Sequence, residues 1–239
     1  MQKVLSFVRR AVDDYHMIED GDRIAVGVSG GKDSVTLALA LHALRRFYPQ
    51  KFEIVPITLS MGFADMDFTS LRDFFKSHGL SLQVQETNIA EILFDIRKEK
   101  NPCSLCAKLR RGALHDAAIA AGCGKVALGH HNDDVLETFL LSLFYEGRIH
   151  CFSPVTYLDR KNIHLIRPMI YMKEQDVIGY IHRSGACVVH NPCPANGYTK
   201  RQYAKELLAT LTQENRGLKE RMFTALQASL ENWRKDGSV

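Results

Sequence analysis

The chain has 239 residues, of which 46% are hydrophobic and 24% are charged, as is typical of a folded globular protein. Its longest apolar stretches, such as residues 35–41, are too short to cross a bilayer, and charged residues interrupt the N-terminal segment. Neither a membrane span nor a signal peptide is therefore expected. These features favour a cytoplasmic protein without a membrane anchor.

The net charge is +4, which is too small to identify a polyanionic partner by itself. The basic residues are nevertheless clustered. Residues 97–111 contain six Lys or Arg and one acid, and residues 199–239 contain eight basic and five acidic residues. Such clusters can be the footprint of a nucleic acid. The alternative is an ordinary solvated surface.

Strand-like and helix-like segments alternate along the chain. Strands are predicted at 23–29, 52–59, 81–86 and 125–128, and helices at 1–14, 32–46, 70–77, 107–121, 133–145 and 173–183. Two further helices are predicted after residue 191, with a break near 215–217. This alternation predicts an α/β fold, an open parallel five-stranded sheet with helices on both faces, followed by a helical C-terminal tail.

A glycine-rich loop follows the first predicted strand and leads into a helix. It consists of Ser29, Gly30, Gly31, Lys32, Asp33 and Ser34. Adjacent glycines let the backbone approach phosphate oxygens, and N–H groups at a helix start complement their charge. The loop is not a Walker A motif, because Val26 replaces the first glycine and Asp33 replaces the Ser or Thr that binds magnesium. It resembles the loop of the HUP-like PP-loop ATP pyrophosphatases, which implies cleavage of ATP between its α and β phosphates.

A second polar segment, Gly-His-His-Asn-Asp-Asp, starts at Gly129, directly after the fourth predicted strand. Because the carboxyl ends of parallel strands meet at one edge, we expect Gly129, Asp133 and Asp134 near the glycine-rich loop. A carboxylate there could hold Mg²⁺. The alternative is that Asp133 caps the following helix and Asp134 interacts with its dipole. The pattern assigns no role to His130 and His131.

The six cysteines are Cys103, Cys106, Cys123, Cys151, Cys187 and Cys193. Cys103 and Cys106 form a C-x-x-C pair at a predicted helix start, where thiolates are favoured. Zinc sites, iron–sulfur clusters and redox disulfides all use this spacing. Cys193, which lies between two prolines, is the best candidate for a third ligand, and three thiolates can hold a [4Fe–4S] cluster with one iron left open. The other three cysteines are expected to be buried.

These blocks together resemble the TtcA/TtuA tRNA thiolases, and most closely the TtcA group that makes 2-thiocytidine. The resemblance extends from about residue 22 to residue 193. Besides the loop, it rests on Cys-Ser-Leu-Cys followed by Leu-Arg-Arg-Gly at 109–112, on 128–134, on Phe-Tyr-Glu-Gly at 144–147 and on Ile-Arg-Pro-Met at 166–169. The chain lacks the zinc-finger cysteines of the uridine-thiolating branch. It also reads Pro-Cys-Pro-Ala-Asn-Gly at 192–197, where many relatives have Pro-Cys-x-x-Cys-Gly.

The resemblance implies a role for each matching residue. ATP and Mg²⁺ would be bound by Ser29, Gly30, Gly31, Lys32, Asp33, Ser34 and Gly129. A [4Fe–4S] cluster would be held by Cys103, Cys106 and Cys193. Catalysis would involve Asp134, Arg110 and Lys32.

The implied reaction is ATP-dependent thiolation of a tRNA pyrimidine, with AMP and pyrophosphate as products. The implied partners are tRNA, a sulfur donor (sulfide or a cysteine desulfurase) and a second copy of the chain in a homodimer. The expected organisation is an N-terminal helix (1–20), an ATP pyrophosphatase domain (21–190) and a segment with the third cysteine and the helical tail (191–239). Two alternatives remain, an adenylating enzyme with a nitrogen nucleophile or small-molecule acceptor, and a non-catalytic iron–sulfur or RNA-binding protein.

Overall fold

The structure, a computed structural model, describes residues 1–63, 66–99, 102–186 and 200–233. The strands are β1 (Asp22–Gly27), β2 (Phe52–Ser60), β3 (Gln83–Glu86), β4 (Lys125–Ala127), β5 (Val155–Leu158) and β6 (Ile163–Ile166). The helices are α1 (Gln2–Asp14), α2 (Lys32–Leu44), α3 (Thr69–Ser77), α4 (Pro102–Ala120), α5 (Asn132–Leu141), α6 (Glu174–Ser184), α7 (Lys200–Glu214) and α8 (Leu218–Ser229). Two π-helical turns, Glu91–Ile96 and Ser142–Glu146, and a 3₁₀ turn, Glu231–Trp233, complete the secondary structure of these residues.

The strands form one sheet in the order β3-β2-β1-β4-β6-β5. The first five strands in this order run parallel, and β5 pairs antiparallel with β6 at the edge. The sequence predicted five parallel strands, and the sheet has a sixth, antiparallel one. The hairpin was not anticipated because its strands have only four residues each and include polar side chains such as Thr156 and His164. An antiparallel edge strand on a parallel sheet is common in α/β proteins.

The strand order reverses beside β1. The chain moves from β1 to β2 and β3 on one side, and then crosses to β4 on the other side of β1. Ligands of such sheets bind at this switch point, in the crevice outside the carboxyl ends of the two strands. The loops that begin there are the glycine-rich loop after β1 and the segment at Gly129 after β4.

Both faces of the sheet are covered, as the alternation of side chains along β1 shows. Ile24 and Val26 belong to the larger hydrophobic core, whereas Ala25 belongs to a smaller core that includes Ala118 of α4. Near the amino end of β1, the Nε atom of Arg23 donates a hydrogen bond of 2.9 Å to the carbonyl oxygen of Ala121, directly after α4. At the carboxyl end of β1, Leu114 of α4 packs directly against Gly27. A Cβ atom added to Gly27 would lie only 2.9 Å from Cδ2 of Leu114. Helix α4 therefore runs antiparallel to β1.

The C-terminal tail is helical, as predicted, and α7 and α8 are separated at Gly217, whose φ of 78° marks the N-cap of α8. The tail packs into the larger core through buried residues that include Leu208 and Phe223. Trp233 is 1% exposed and meets the ring of Phe223 edge-on at 5.4 Å. None of the helices within the described ranges has the length and apolar character needed to span a bilayer.

Candidate active site

The glycine-rich loop is held in shape by its two serines. The backbone N–H of Ser29 donates to the Ser34 Oγ atom at 3.1 Å, and this hydroxyl lies 2.9 Å from the carbonyl oxygen of Gly31, to which it donates. Gly30 has a φ of 80°, in the left-handed region that favours glycine. Gly31 is extended and forms the N-cap of α2. The first N–H groups of α2 therefore lie at the loop, where they can bind an anion.

Gly129 lies directly against this loop. A Cβ atom at this position would lie 3.0 Å from the carbonyl carbon of Asp33 and 3.2 Å from the backbone nitrogen of Ser34. Only a residue without a side chain allows the ends of β1 and β4 to approach so closely. The expected proximity of the two segments is therefore present in the structure.

The ammonium group of Lys32 lies between two carboxylates. Its Nζ atom is 3.0 Å from Asp33 Oδ2 and 3.1 Å from Oε1 of Glu174, the first residue of α6. Burial by itself would lower the pKa of Lys32, but the two carboxylates outweigh burial and the pKa is raised. Lys32 is therefore charged at any working pH. Sequence reasoning missed Glu174, since nothing in its local pattern connects it to a loop some 140 residues earlier in the chain.

His131 connects the two loops. It is the N-cap of α5 and forms a capping box with Asp134. The backbone N–H of Asp134 donates to His131 Nδ1, and the backbone N–H of His131 donates to Asp134 Oδ2. The Nε2 atom of His131 lies 3.6 Å from Asp33 Oδ1. That carboxylate oxygen is buried and accepts no hydrogen bond within the described residues. A buried carboxylate oxygen with spare capacity beside a phosphate-type loop fits a Mg²⁺ ligand.

Asp133 stabilises the arrangement of helices around the site. Its Oδ2 atom accepts a hydrogen bond of 2.7 Å from the backbone N–H of Glu174, and its Oδ1 atom accepts one of 2.6 Å from Lys219 of α8. Burial would raise the pKa of this carboxyl group, but the bonds from Lys219 and Glu174 outweigh it and the pKa is lowered. Asp133 thus caps α6. The alternative that the sequence left open, that Asp133 caps its own helix, is wrong, because His131 is the N-cap of α5.

Asp134 and Glu137 share one guanidinium group. The Nη1 atom of Arg201 in α7 lies 2.9 Å from Asp134 Oδ1 and 3.6 Å from Glu137 Oε2. The Glu137 side chain is only 6% exposed. Burial and the neighbouring charge of Asp134 raise the pKa of Glu137 to about 7. The candidate catalytic Asp134 is therefore held in place by an ion pair and by the capping box.

The C-x-x-C pair lies in the first turns of α4, which begins at Pro102 rather than at residue 107 as predicted. Cys103 and Cys106 share a helix face with Arg110 and Leu114, because side chains three, four and seven positions apart lie above one another. Leu114 packs at the carboxyl end of β1. At a rise of 1.5 Å per residue, the two cysteines lie about 12–16 Å from Leu114 along the axis of α4, toward its N-terminus and beyond the carboxyl edge of the sheet. Arg110 lies between them and the edge, and its side chain is exposed.

Two other cysteines behave as the sequence predicted. Cys123 and Cys151 are buried, and burial raises the pKa of Cys151 to about 11. Cys187 and Cys193, the candidate third ligand, lie outside the described residues. Within the ranges that the structure covers, no group of three or more His, Cys, Asp or Glu side chains is arranged to hold a metal ion.

His130 is half-buried beside the site, next to Phe152 and Arg167. Its ring packs against that of Phe152 with 4.8 Å between centroids, and the guanidinium carbon of Arg167 lies 4.8 Å from the centroid of the Phe152 ring. Burial, together with the charge of Arg167, lowers the pKa of His130 to about 4. His130 is therefore neutral near pH 7 and contributes packing to the second loop.

The fold and the loop at its switch point define a PP-loop protein of the ATP-binding α/β class. In agreement, the profile of the PP-loop domain family matches residues 3–208. The chain is 40% identical over 222 residues to the tRNA-cytidine(32) 2-sulfurtransferase of Pelobacter propionicus, with 92% of this chain and 82% of that protein covered. It is 40% identical over 228 residues to the protein of the same name in Geobacter metallireducens, with 94% and 89% covered.

A solved structure has the same fold. The U34-tRNA thiolase NcsA from Methanococcus maripaludis, with its [4Fe–4S] cluster, superimposes with a TM-score of 0.78 at 22% identity, covering 96% of this chain and 79% of that chain. The chain belongs to the TtcA/TtuA family of PP-loop proteins, within which its curated relatives are of the TtcA type. The resemblance predicted from the sequence motifs is confirmed.

Proposed function

We propose that the protein is an ATP-dependent tRNA sulfurtransferase, which adenylates C2 of a cytidine in the anticodon loop and replaces its oxygen with sulfur. The observation that carries the proposal is that α4 packs Leu114 on Gly27 at the carboxyl edge, where the PP-loop begins, and carries Arg110 and the C-x-x-C pair beyond that edge on the same helix face. Support comes from the two relatives named for sulfur transfer to cytidine 32 of tRNA. An unstacked loop base can be presented to such an edge.

ATP would bind with its phosphates on the PP-loop. The N–H groups at the start of α2 and the Ser29 and Ser34 hydroxyls would donate to phosphate oxygens, and Gly129 would line the nucleotide site. Asp33 would hold Mg²⁺, which supplies positive charge to the phosphates when bound. Lys32 would add a fixed positive charge.

The adenylation step is attack of the C2 oxygen on the α-phosphorus. The bond between the α-phosphorus and the bridging oxygen to the β-phosphate breaks, and pyrophosphate leaves with the electron pair. Lys32 and Arg110 would stabilise the charge that develops on these oxygens. A guanidinium stays charged at any working pH, so Arg110 would act electrostatically and not as a proton shuttle.

Sulfur then adds at C2, and the C2–oxygen bond to AMP breaks. Cys103, Cys106 and Cys193 would hold a [4Fe–4S] cluster, which would supply an open iron for a sulfur ligand when bound. Asp134 would take up the proton that a hydrosulfide loses in this exchange. The capping box and Arg201 would keep that carboxylate oriented.

The ATP pyrophosphatase domain would comprise residues 21–190, preceded by the helix of 1–20 and followed by the third cysteine and helical tail in 191–239. The sulfur donor would be sulfide or a cysteine desulfurase. The protein would act as a homodimer in the cytoplasm.

The decisive experiment compares tRNA nucleosides from cells with and without the gene by mass spectrometry, and expects loss of 2-thiocytidine. Protein purified under anaerobic conditions, when supplied with tRNA, ATP and sulfide, should form 2-thiocytidine in that tRNA and release AMP and pyrophosphate. Cys106→Ser and Cys193→Ala should abolish thiolation but spare ATP binding, whereas Cys123→Ser, at a buried cysteine away from this edge, should stay active. Unchanged nucleosides, or full thiolation by Cys193→Ala, would contradict the proposal.

A further inference from the structure

The Lys32 ammonium group has a defined hydrogen-bonding state. An ammonium has three N–H donors. Within the described residues, two of them are directed at Asp33 Oδ2 and Glu174 Oε1, at 3.0 Å and 3.1 Å. One donor is therefore left for an oxygen from outside the protein. A lysine held by two carboxylates in this way presents its remaining donor in one direction only.

Glu174 is itself firmly held. Its backbone N–H is bonded to the Asp133 carboxylate at 2.7 Å at the start of α6. Its carboxylate lies 2.7 Å from Nζ of Lys205 in α7, and its side chain is only 16% exposed. Burial would raise the pKa of Glu174, but the bonds from Lys205 and Lys32 outweigh it and the pKa is lowered. Glu174 is thus a charged and immobile partner for the loop lysine.

We propose that Glu174 is a positioning residue for adenylation, which orients Lys32 toward the phosphates of ATP and is itself held by Lys205. This inference rests on the proposed function, since it assigns Glu174 a part in the reaction of the same site. It links the PP-loop to α7 through two ion pairs that share one carboxylate.

The role has a distinctive kinetic signature. Glu174→Gln preserves shape but removes a negative charge next to the place where the phosphates bind. ATP binding should therefore not weaken, because repulsion between this carboxylate and the phosphates disappears. The turnover number should fall, because Lys32 is no longer held in the orientation that the transition state requires. A loss of kcat without a rise in KM indicates an interaction that matters in the transition state.

A matched control lies on the same helix. Asp176 is two residues further along α6, its side chain is 19% exposed, and it pairs with Lys3 at 2.7 Å on the surface. Asp176→Asn therefore makes the same kind of change at a similar exposure, away from the PP-loop. Melting temperatures of both variants show whether either has lost its fold.

The experiment measures AMP and pyrophosphate release with tRNA as a function of ATP concentration. It also measures binding of a non-hydrolysable ATP analogue by calorimetry. Glu174→Gln should lower kcat by about 10-fold or more, which corresponds to about 1.4 kcal/mol in the barrier, with an unchanged or lower KM for ATP. Asp176→Asn should match the wild type. A Glu174→Gln variant with wild-type kcat, or with a raised KM as its only defect, would overturn the inference.

Lys205 provides a second test. Lys205→Met should lower kcat in the same direction but less, and the double variant with Glu174→Gln should be no worse than Glu174→Gln alone, because Lys205 acts through this carboxylate. Additive effects would contradict the coupling. If the wild type binds ATP but releases no AMP with tRNA, the proposed function fails and the role of Glu174 fails with it. If the wild type is active and Glu174→Gln is unimpaired, only the inference fails.

Discussion

The contact between Gly129 and the PP-loop gives a sharp prediction for Gly129→Ala. The new Cβ atom would lie 3.0 Å from the Asp33 carbonyl carbon, 3.1 Å from its oxygen and 3.2 Å from the Ser34 nitrogen. Carbon atoms normally pack at about 3.5–4.0 Å, so the backbone of the loop must move by a few tenths of an ångström. All three atoms belong to the main chain at the start of α2, whose following residues are buried, so no flexible side chain can absorb the shift.

Overpacking of this kind costs about 1–3 kcal/mol of stability. The effect on adenylation should be larger in relative terms, since small displacements of positioned groups can cost about 10- to 100-fold in rate. We therefore expect Gly129→Ala to lower kcat/KM for ATP by about 10-fold or more in the assay of AMP release, with a modest decrease in Tm.

Gly124→Ala is the control for Gly129→Ala. Gly124 precedes the same strand at its other end, and a Cβ atom there would meet nothing within 4 Å. This variant should keep wild-type kinetics. If Gly129→Ala retained kcat/KM within about twofold of the wild type, the contact would not constrain the loop and the reasoning would be refuted.

Three further predictions concern buried groups and surface charge. Burial raises the pKa of Glu137 from its usual 4.5 to about 7, so the wild type should lose stability as pH rises through this range. In urea unfolding at pH 5.5 and 8, Glu137→Gln should reduce the difference in the free energy of unfolding between the two pH values by about 1–2 kcal/mol. Trp233→Ala should lower the free energy of unfolding by about 3–5 kcal/mol, since the ring is buried against Tyr15 and Phe223. Arg111→Gln, at an exposed position of α4, should weaken tRNA binding and lower the salt slope by about one unit, whereas Lys219→Met should lower Tm and leave the slope unchanged.

Local sequence signals predicted the framework of the site because they act over short distances along the chain. A buried strand, two glycines and a helix start are encoded in one continuous segment. The proximity of Gly129 to this segment was expected for another reason, because both follow the carboxyl ends of parallel strands. The C-x-x-C spacing likewise indicated the paired thiols of α4. What local signals could not predict was the hairpin of β5 and β6, whose short strands lack a continuous apolar run.

The partners of the site acids lie far away along the chain, and this is why sequence reasoning missed them. Glu174 of α6 contacts Lys32 of α2, and Arg201 contacts Asp134 from a helix some 65 residues later. An ion pair leaves no periodic pattern in the sequence, because either partner could equally face water. Only the packing of α6, α7 and α8 brings these charges together.

The packing of the C-terminal helices also changes how the basic charge of the tail should be interpreted. From the sequence, this charge could belong to a surface that follows RNA. In the structure, Arg201, Lys205 and Lys219 pair with Asp134, Glu174 and Asp133 respectively.

These three cations are therefore already engaged by acids at the carboxyl edge, and a charge that is paired inside the protein releases few counterions when RNA binds. The exposed basic residues of α4, next to the cysteines, remain available for a phosphate backbone. These three residues thus contribute to the site by holding its acids in place, and we expect the exposed basic residues of α4 to contribute more than they do to the electrostatic attraction for tRNA.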